Sequence, residues 1–191
     1  MRMPPTRIVA DRFVLLCWRE DAAVLLKKAV DSSLAELQQW MKWAPPGPEE
    51  LDAVRARLAK RHEDFVEGRD FFYLILDPAE QIVLGSTGLH PRAEPGALEI
   101  GYWIRTDQTG RGLATGAARV LTRTAFELVG ARRVEIRCHP QNLASAAVPR
   151  HLGYDLREVI DQDAMSPQGE PRDTMVWEMT ADRFGGLGVG A

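Results

Sequence analysis

Two glycines between an alternating strand and an amphipathic helix carry the clearest chemical signal in the sequence. In the stretch LEIGYWIRTDQTGRGLATGAA, Leu98 to Ala118, the alternation of Leu98, Ile100, Tyr102 and Ile104 against Glu99, Gly101, Trp103 and Arg105 predicts a strand. Gly110 and Gly112 then turn the chain tightly, and a helix follows from Leu113, with Ala114 and Thr115 in its first turn. Glycines let backbone N–H groups come close to an anion, and a helix start adds four unpaired donors and the positive end of its dipole. The combination suits a phosphate or a pyrophosphate. A P-loop needs Lys followed by Ser or Thr after its second glycine, and neither is there. A dinucleotide fingerprint needs Gly or Ala at its sixth position, where Thr115 stands, and it usually opens its domain. The bland alternative is a plain glycine-rich turn.

Asn142 and Ser145, three residues apart, sit where a short helix begins and read as an N-cap and a first-turn serine. Pro149 falls inside that helix and frees the carbonyl of Ser145 from its usual bond, which predicts a kink. Cys17 and Cys138 are the only cysteines. Both lie in apolar, strand-like runs with neither a sequence-visible His partner nor a helix N-terminus, so they read as buried free thiols rather than nucleophiles.

The elements that must position these residues follow from periodicity and turn chemistry. Phe13 to Arg19 predicts a first strand, Glu20 and Asp21 lead a helix to about Val30 that can continue to Met41, and Pro45-Pro46-Gly47-Pro48 breaks it. A second helix is expected from Pro48 to Gly68, then strands at Phe71 to Leu76 and Ile82 to His90, joined as a hairpin by Asp77-Pro78-Ala79-Glu80. After the strand to Arg105, a helix is expected over Leu113 to Leu128 with Gly130 as its C-cap, a strand over Arg133 to Cys138, and a short helix over Leu143 to Leu152. Tyr154 to Val159 and Thr174 to Thr180 are the last expected strands, with Asp161 to Asp173 read as a polar loop. This order predicts an α/β (α+β type) fold: a mixed, mostly antiparallel central sheet with helices on both faces. No repeat or linker divides the chain, so one domain is expected over residues 1–184, followed by a frayed tail over 185–191.

The bulk properties agree with an ordinary globular protein. The 191 residues are 45% hydrophobic and 27% charged, with a formal net charge of −3, which gives no electrostatic reason to expect nucleic acid. No apolar run approaches the roughly 20 residues that span a bilayer, and the N-terminus lacks the apolar core of a signal peptide. The expectation is a cytoplasmic protein with no membrane partner and no metal.

Thr109-Gly110-Arg111-Gly112-Leu113-Ala114 resembles the acyl-CoA motif of the GNAT acyltransferase superfamily, (Gln or Arg)-x-x-Gly-x-(Gly or Ala), except that Thr109 holds the first position and Gln108 lies one residue early. Three further segments resemble the subgroup that contains the ribosomal-protein N-terminal acetyltransferases. They are Gly101-Tyr102-Trp103, Asn142 to Val148 followed by Leu152-Gly153-Tyr154, and Trp40-Met41-Lys42-Trp43. The resemblance implies that pantetheine pairs with the free edge of the Gly101–Arg105 strand, bringing Trp103, Ile104 and Arg105 to the cofactor. It implies that Gly110, Arg111, Gly112, Leu113, Ala114 and Thr115 surround the CoA phosphates, that Asn142 contacts the CoA arm, and that Ser145 sits near the sulfur, where it can protonate the leaving thiolate. Trp40 and Trp43 are expected either to wall an acceptor groove or to pack in the core. Glu99 and Asp163 are candidate general bases, with solvated carboxylates as the alternative. His90 is a further candidate on the acceptor side, its plainer reading a capping or surface role.

The activity implied is transfer of an acetyl group from acetyl-CoA, or another acyl group from its CoA ester, to a primary amine by direct attack. A peptide or ribosomal-protein N-terminus and a small amine are both acceptable acceptors, and a homodimer is open. The rival expectation is a domain of the same fold that binds acyl-CoA as a sensor without turnover.

Overall fold

The computed structural model describes residues 2–91 and 94–186. Eight strands form one sheet in the spatial order β1-β2-β3-β4-β5-β6-β8-β7. The strands are β1 (Arg7–Val9), β2 (Val14–Cys17), β3 (Phe71–Leu76), β4 (Val83–Pro91), β5 (Ala97–Ile104), β6 (Arg133–Cys138), β7 (Asp155–Met165) and β8 (Pro171–Thr180). Every neighbouring pair is antiparallel except β5 and β6, which run parallel. That parallel pair is short. It joins only Ala97, Leu98 and Glu99 to Arg133, Val134 and Glu135, after which the two strands part and leave Gly101–Ile104 without a ladder partner on that side.

The helices are α1 (Ala23–Asp31), α2 (Leu34–Trp40), α3 (Leu51–Val66), α4 (Leu113–Arg123), α5 (Leu143–His151) and α6 (Ala181–Gly186). They cover both faces, as the alternating apolar residues of β3 and β5 require. On one face α1 and α3 bury Leu26, Val30, Val54 and Leu58 with Leu74 and Leu76 of β3 and Trp103 of β5. On the other, α4 buries Leu113, Ala117 and Leu121 with Tyr73, Leu98 and Ile100.

Several elements depart from expectation. β1 was not foreseen; it has three residues at the sheet edge, two of them exposed, too few to show a period. The long first helix is broken at Ser32 and Ser33, where the buried Ser33 hydroxyl accepts the Thr106 N–H at 3.1 Å and ties the break to the end of β5. α3 starts at Leu51 rather than Pro48, and Glu49 folds back to pair with Arg57 at 2.6 Å. α4 ends at Arg123 and continues as a π-helical turn over Thr124–Val129 before Gly130, whose φ of 80° terminates it. The stretch read as a polar loop, Asp161 to Asp173, is largely strand: β7 and β8 form a long hairpin with a register shift between Ile160 and Ala164. Most of β7 is exposed on both faces, so burial imposes no apolar alternation that a sequence reading could detect. At the C-terminus, Gly185 and Gly186 belong to α6 rather than to a frayed tail, and residues 187–191 lie outside the described residues.

Candidate functional site

Where β5 leaves β6, two cavities meet. Met41, Tyr102 and Trp103 line both. The first, about 370 Å³, runs from the glycine turn to the start of α5 and includes Gly110, Gly112, Leu113, Ala114 and Thr115. Asn142, Ser145, Ile104 and Trp40 also face it. Gly110 and Gly112 have φ of 73° and 74°, a left-handed backbone that favours glycine, and a Cβ built at either would meet no protein atom within 4 Å. Gly112 is the N-cap of α4, no side chain caps the helix, and no carboxylate stands in its first turn. The N–H groups and positive dipole end of α4 therefore face the cavity uncontested, a setting for an anion.

Two expected members stand apart from this lining. The Arg105 guanidinium is held by Asp107 at 2.5 and 2.7 Å, and that contact is the main cause that raises Arg105 above its ordinary value. Arg111 is exposed on the turn itself.

At the far end, Asn142 caps α5 by accepting the Ser145 N–H at 3.0 Å. The Ser145 hydroxyl donates to the Tyr102 hydroxyl at 3.3 Å, and Tyr102 donates to the Ser145 carbonyl at 3.0 Å. That carbonyl is the one Pro149 cannot serve, so the proline frees an acceptor that Tyr102 takes up. Burial pushes the Tyr102 hydroxyl far above its ordinary value, so it stays protonated. Cys138, at the end of β6, has its thiol pushed up by burial, which the neighbouring Ser145 hydroxyl opposes. Tyr154, the next hydroxyl along the chain, is buried against Thr122 at 2.6 Å and does not line either cavity.

The second cavity, about 410 Å³, lies on the face covered by α1 and α3. Trp43, half exposed, tilts against Trp103 with ring centroids 6.0 Å apart. His90 and Glu99, opposite each other on β4 and β5, both line it. Glu99 is engaged: its carboxylate lies 3.6 Å from Arg137, which also pairs with the buried Glu135. His90 is buried and its Nδ1 lies 2.5 Å from Asp70 Oδ1. Asp70 sits just before β3 and also accepts the Phe71 N–H at 3.0 Å.

The expected site residues thus divide. The two tryptophans expected together on the acceptor side separate: Trp43 lines the second cavity, whereas Trp40 lines the first, beside His139 and under the Arg172 guanidinium. Asp163 is exposed on β7 and lines neither cavity, since the segment that carries it is part of the hairpin. Tyr102 and Asp70 had not been singled out. Strand alternation set Tyr102 on the face opposite Trp103, a signal that could have found it; no spacing in the sequence links Asp70 to His90.

Among the described residues, no group of three or more His, Cys, Asp or Glu is arranged to hold a metal ion, and no helix is long and apolar enough to cross a membrane. The chain is similar to named acetyltransferases. It is 36% identical over 81 residues to the putative ribosomal N-acetyltransferase YdaF of Bacillus subtilis (strain 168), a match that covers 42% of this chain and 44% of that protein, less than half of either. The solved ribosomal-protein-S5-alanine acetyltransferase from Vibrio fischeri superposes with a TM-score of 0.84 at 17% identity, over 93% of this chain and 98% of that one. The ribosomal L7/L12 α-N-protein acetyltransferase RimL, solved in complex with coenzyme A, superposes with a TM-score of 0.82 at 22% identity, over 95% and 99%. At these identities the two structures speak for the fold. The family model described as the acetyltransferase (GNAT) domain matches residues 12–155, most of the chain and every residue named on the lining of both cavities. The chain belongs to the acetyltransferase (GNAT) domain family.

Proposed function

We propose that this protein transfers an acetyl group from acetyl-CoA to the N-terminal amine of a protein or peptide, by direct attack while both substrates are bound. The observation that carries the reading is the meeting of the two cavities at Tyr102 and Trp103, where β5 has lost its β6 partner. One cavity offers an anion-binding helix start and an unpaired strand edge; the other is an open, aromatic-walled space on the opposite face. A thioester lying along the β5 edge would present its carbonyl between them. The Gly101–Ile104 edge would then hold the pantetheine arm, and N–H groups there would meet the oxyanion that forms on attack. The Ser145 hydroxyl, now directed at Tyr102, would turn to donate to the departing thiolate. A neutral Tyr102 behind it keeps that hydroxyl oriented.

The ribosomal-protein acetyltransferases among the similar proteins support a protein N-terminus as acceptor. An α-amine is also the readier nucleophile, because its ordinary pKa near 8 leaves a larger free fraction at neutral pH than that of a lysine near 10.4. The test is CoA release from acetyl-CoA over a panel of free-N-terminus peptides, N-blocked lysine peptides and small amines. Turnover confined to free N-termini is the expected result. CoA binding with no turnover on any amine would favour a sensor instead.

A further inference from the structure

We propose that His90, oriented by Asp70, is the base that takes the proton from the incoming ammonium group. The proposal rests on reading the second cavity as the acceptor site. The Asp70 carboxylate can only accept at Nδ1, so Nδ1 carries a proton, and in the neutral form of the ring Nε2 is the nitrogen that can accept one. The ring is fixed from its other side by an edge contact with Phe72, centroids 4.8 Å apart.

Two glycines make room for it. A Cβ at Gly88 would stand 2.5 Å from His90 Cε1 and 2.7 Å from Nε2, and one at Gly101 would stand 3.3 Å from Nε2. Gly88 and Gly101 are cross-strand partners, so Nε2 lies over a side-chain-free patch of sheet. That patch adjoins the point where β5 loses β6, the place the thioester would occupy. The other charged groups that face His90 are committed. Arg57 and Arg61 come from α3; Arg57 is held by Glu49 at 2.6 Å, and Arg61 lies over Phe72, 3.9 Å from Asp70 Oδ2. Glu99 comes from β5 and pairs with Arg137. α1 contributes only Leu26 and Val30 to the cavity.

The ammonium nitrogen gives one proton to Nε2, forming an imidazolium that Asp70 balances. The free amine attacks the thioester carbon; the C–N bond forms and the C–S bond breaks. The second proton, lost from nitrogen after attack, ends on the CoA sulfur by way of the Ser145 hydroxyl. His90 then returns its proton to water. Asp70 is a positioning residue in this scheme.

The test is the pH dependence of kcat/KM for an N-terminal peptide in wild type, His90→Asn, His90→Gln and Asp70→Asn, with acetyl-CoA affinity and melting measured beside it. Asn can keep the hydrogen bond to Asp70 without supplying a base, so His90→Asn should fold and bind acetyl-CoA as wild type does. His90→Asn and His90→Gln should lose about 100-fold in kcat/KM at neutral pH. The loss should shrink to less than about ten-fold above the ordinary α-amine pKa of about 8, where the amine arrives already neutral. Asp70→Asn should show the same pH-shaped loss, smaller in size. A deficit equal at every pH, or wild-type kinetics in a folded His90→Asn, would overturn the assignment. No turnover by the wild type would instead defeat the functional reading beneath it.

Discussion

Ser145 and Tyr102 both line the first cavity, and their hydroxyls lie 3.3 Å apart. If Ser145 donates to the departing thiolate as proposed, its work falls in the transition state, so Ser145→Ala should lower kcat by about ten-fold or more with little change in acyl-CoA affinity. The Asn142 cap accepts a backbone N–H, so the variant should melt as wild type does. A large change in affinity with kcat intact would make Ser145 a binding residue instead. The tryptophans give a second contrast. Trp43→Ala should raise the KM for the amine and Trp40→Ala the KM for acetyl-CoA, each several-fold, because the two rings line different cavities. Steady-state kinetics with each substrate varied in turn would expose a shared effect, which would contradict the division. Much of this was legible in the sequence: the glycine turn, the cap and Ser145 are local signals, set by residues within a few positions of one another. The partition of Trp40 from Trp43 was not. The helix α2 ends at Trp40 and the backbone turns extended at Met41, which sends Trp43 against Trp103 in one cavity and leaves Trp40 in the other, a tertiary outcome with no local signal.

The turn from β5 into α4 forms one end of the first cavity. Gly112 has a positive φ, and a Cβ there would meet no protein atom within 4 Å. Gly112→Val should cost about 1–2 kcal/mol of stability from the left-handed backbone alone. It should also weaken acetyl-CoA binding by about ten-fold or more, because the branched side chain would occupy the space before the α4 N–H groups. Calorimetry that found unchanged affinity in the folded variant would remove the turn from the site. The sequence showed this element because glycine spacing and helix period are short-range. It missed the length of the β7–β8 hairpin for the opposite reason. Asp161 to Asp173 is polar on both faces, and its pairing depends on a partner strand and on contacts from Gln168 and Arg172 to backbone carbonyls of Gln38 and Gln39. Such tertiary bonds leave no period to read.

Across the whole molecule, the three tyrosines are all raised above their ordinary value of 10.0 by burial. The sign follows directly. The unfolded chain ionises its tyrosines near pH 10 while the native state holds them neutral, so their contribution is complete below about pH 10 and is lost above it. The melting temperature should fall as pH rises past 10, with tyrosinate absorbance appearing only as the protein unfolds; tyrosinate in the folded state would contradict the buried assignment. The fold's larger consequence is that it brings the two cavities together from opposite faces of one sheet, through the parting of β5 and β6. The most direct measurement of that claim is the affinity of a conjugate in which an acetyl bridge joins the CoA sulfur to the α-amine of a short peptide. Since one molecule would fill both cavities, it should bind at least about 100-fold tighter than CoA alone, and both Gly112→Val and Trp43→Ala should weaken it. A conjugate that binds no better than CoA, or that is indifferent to Trp43→Ala, would show that the cavities do not serve one reaction.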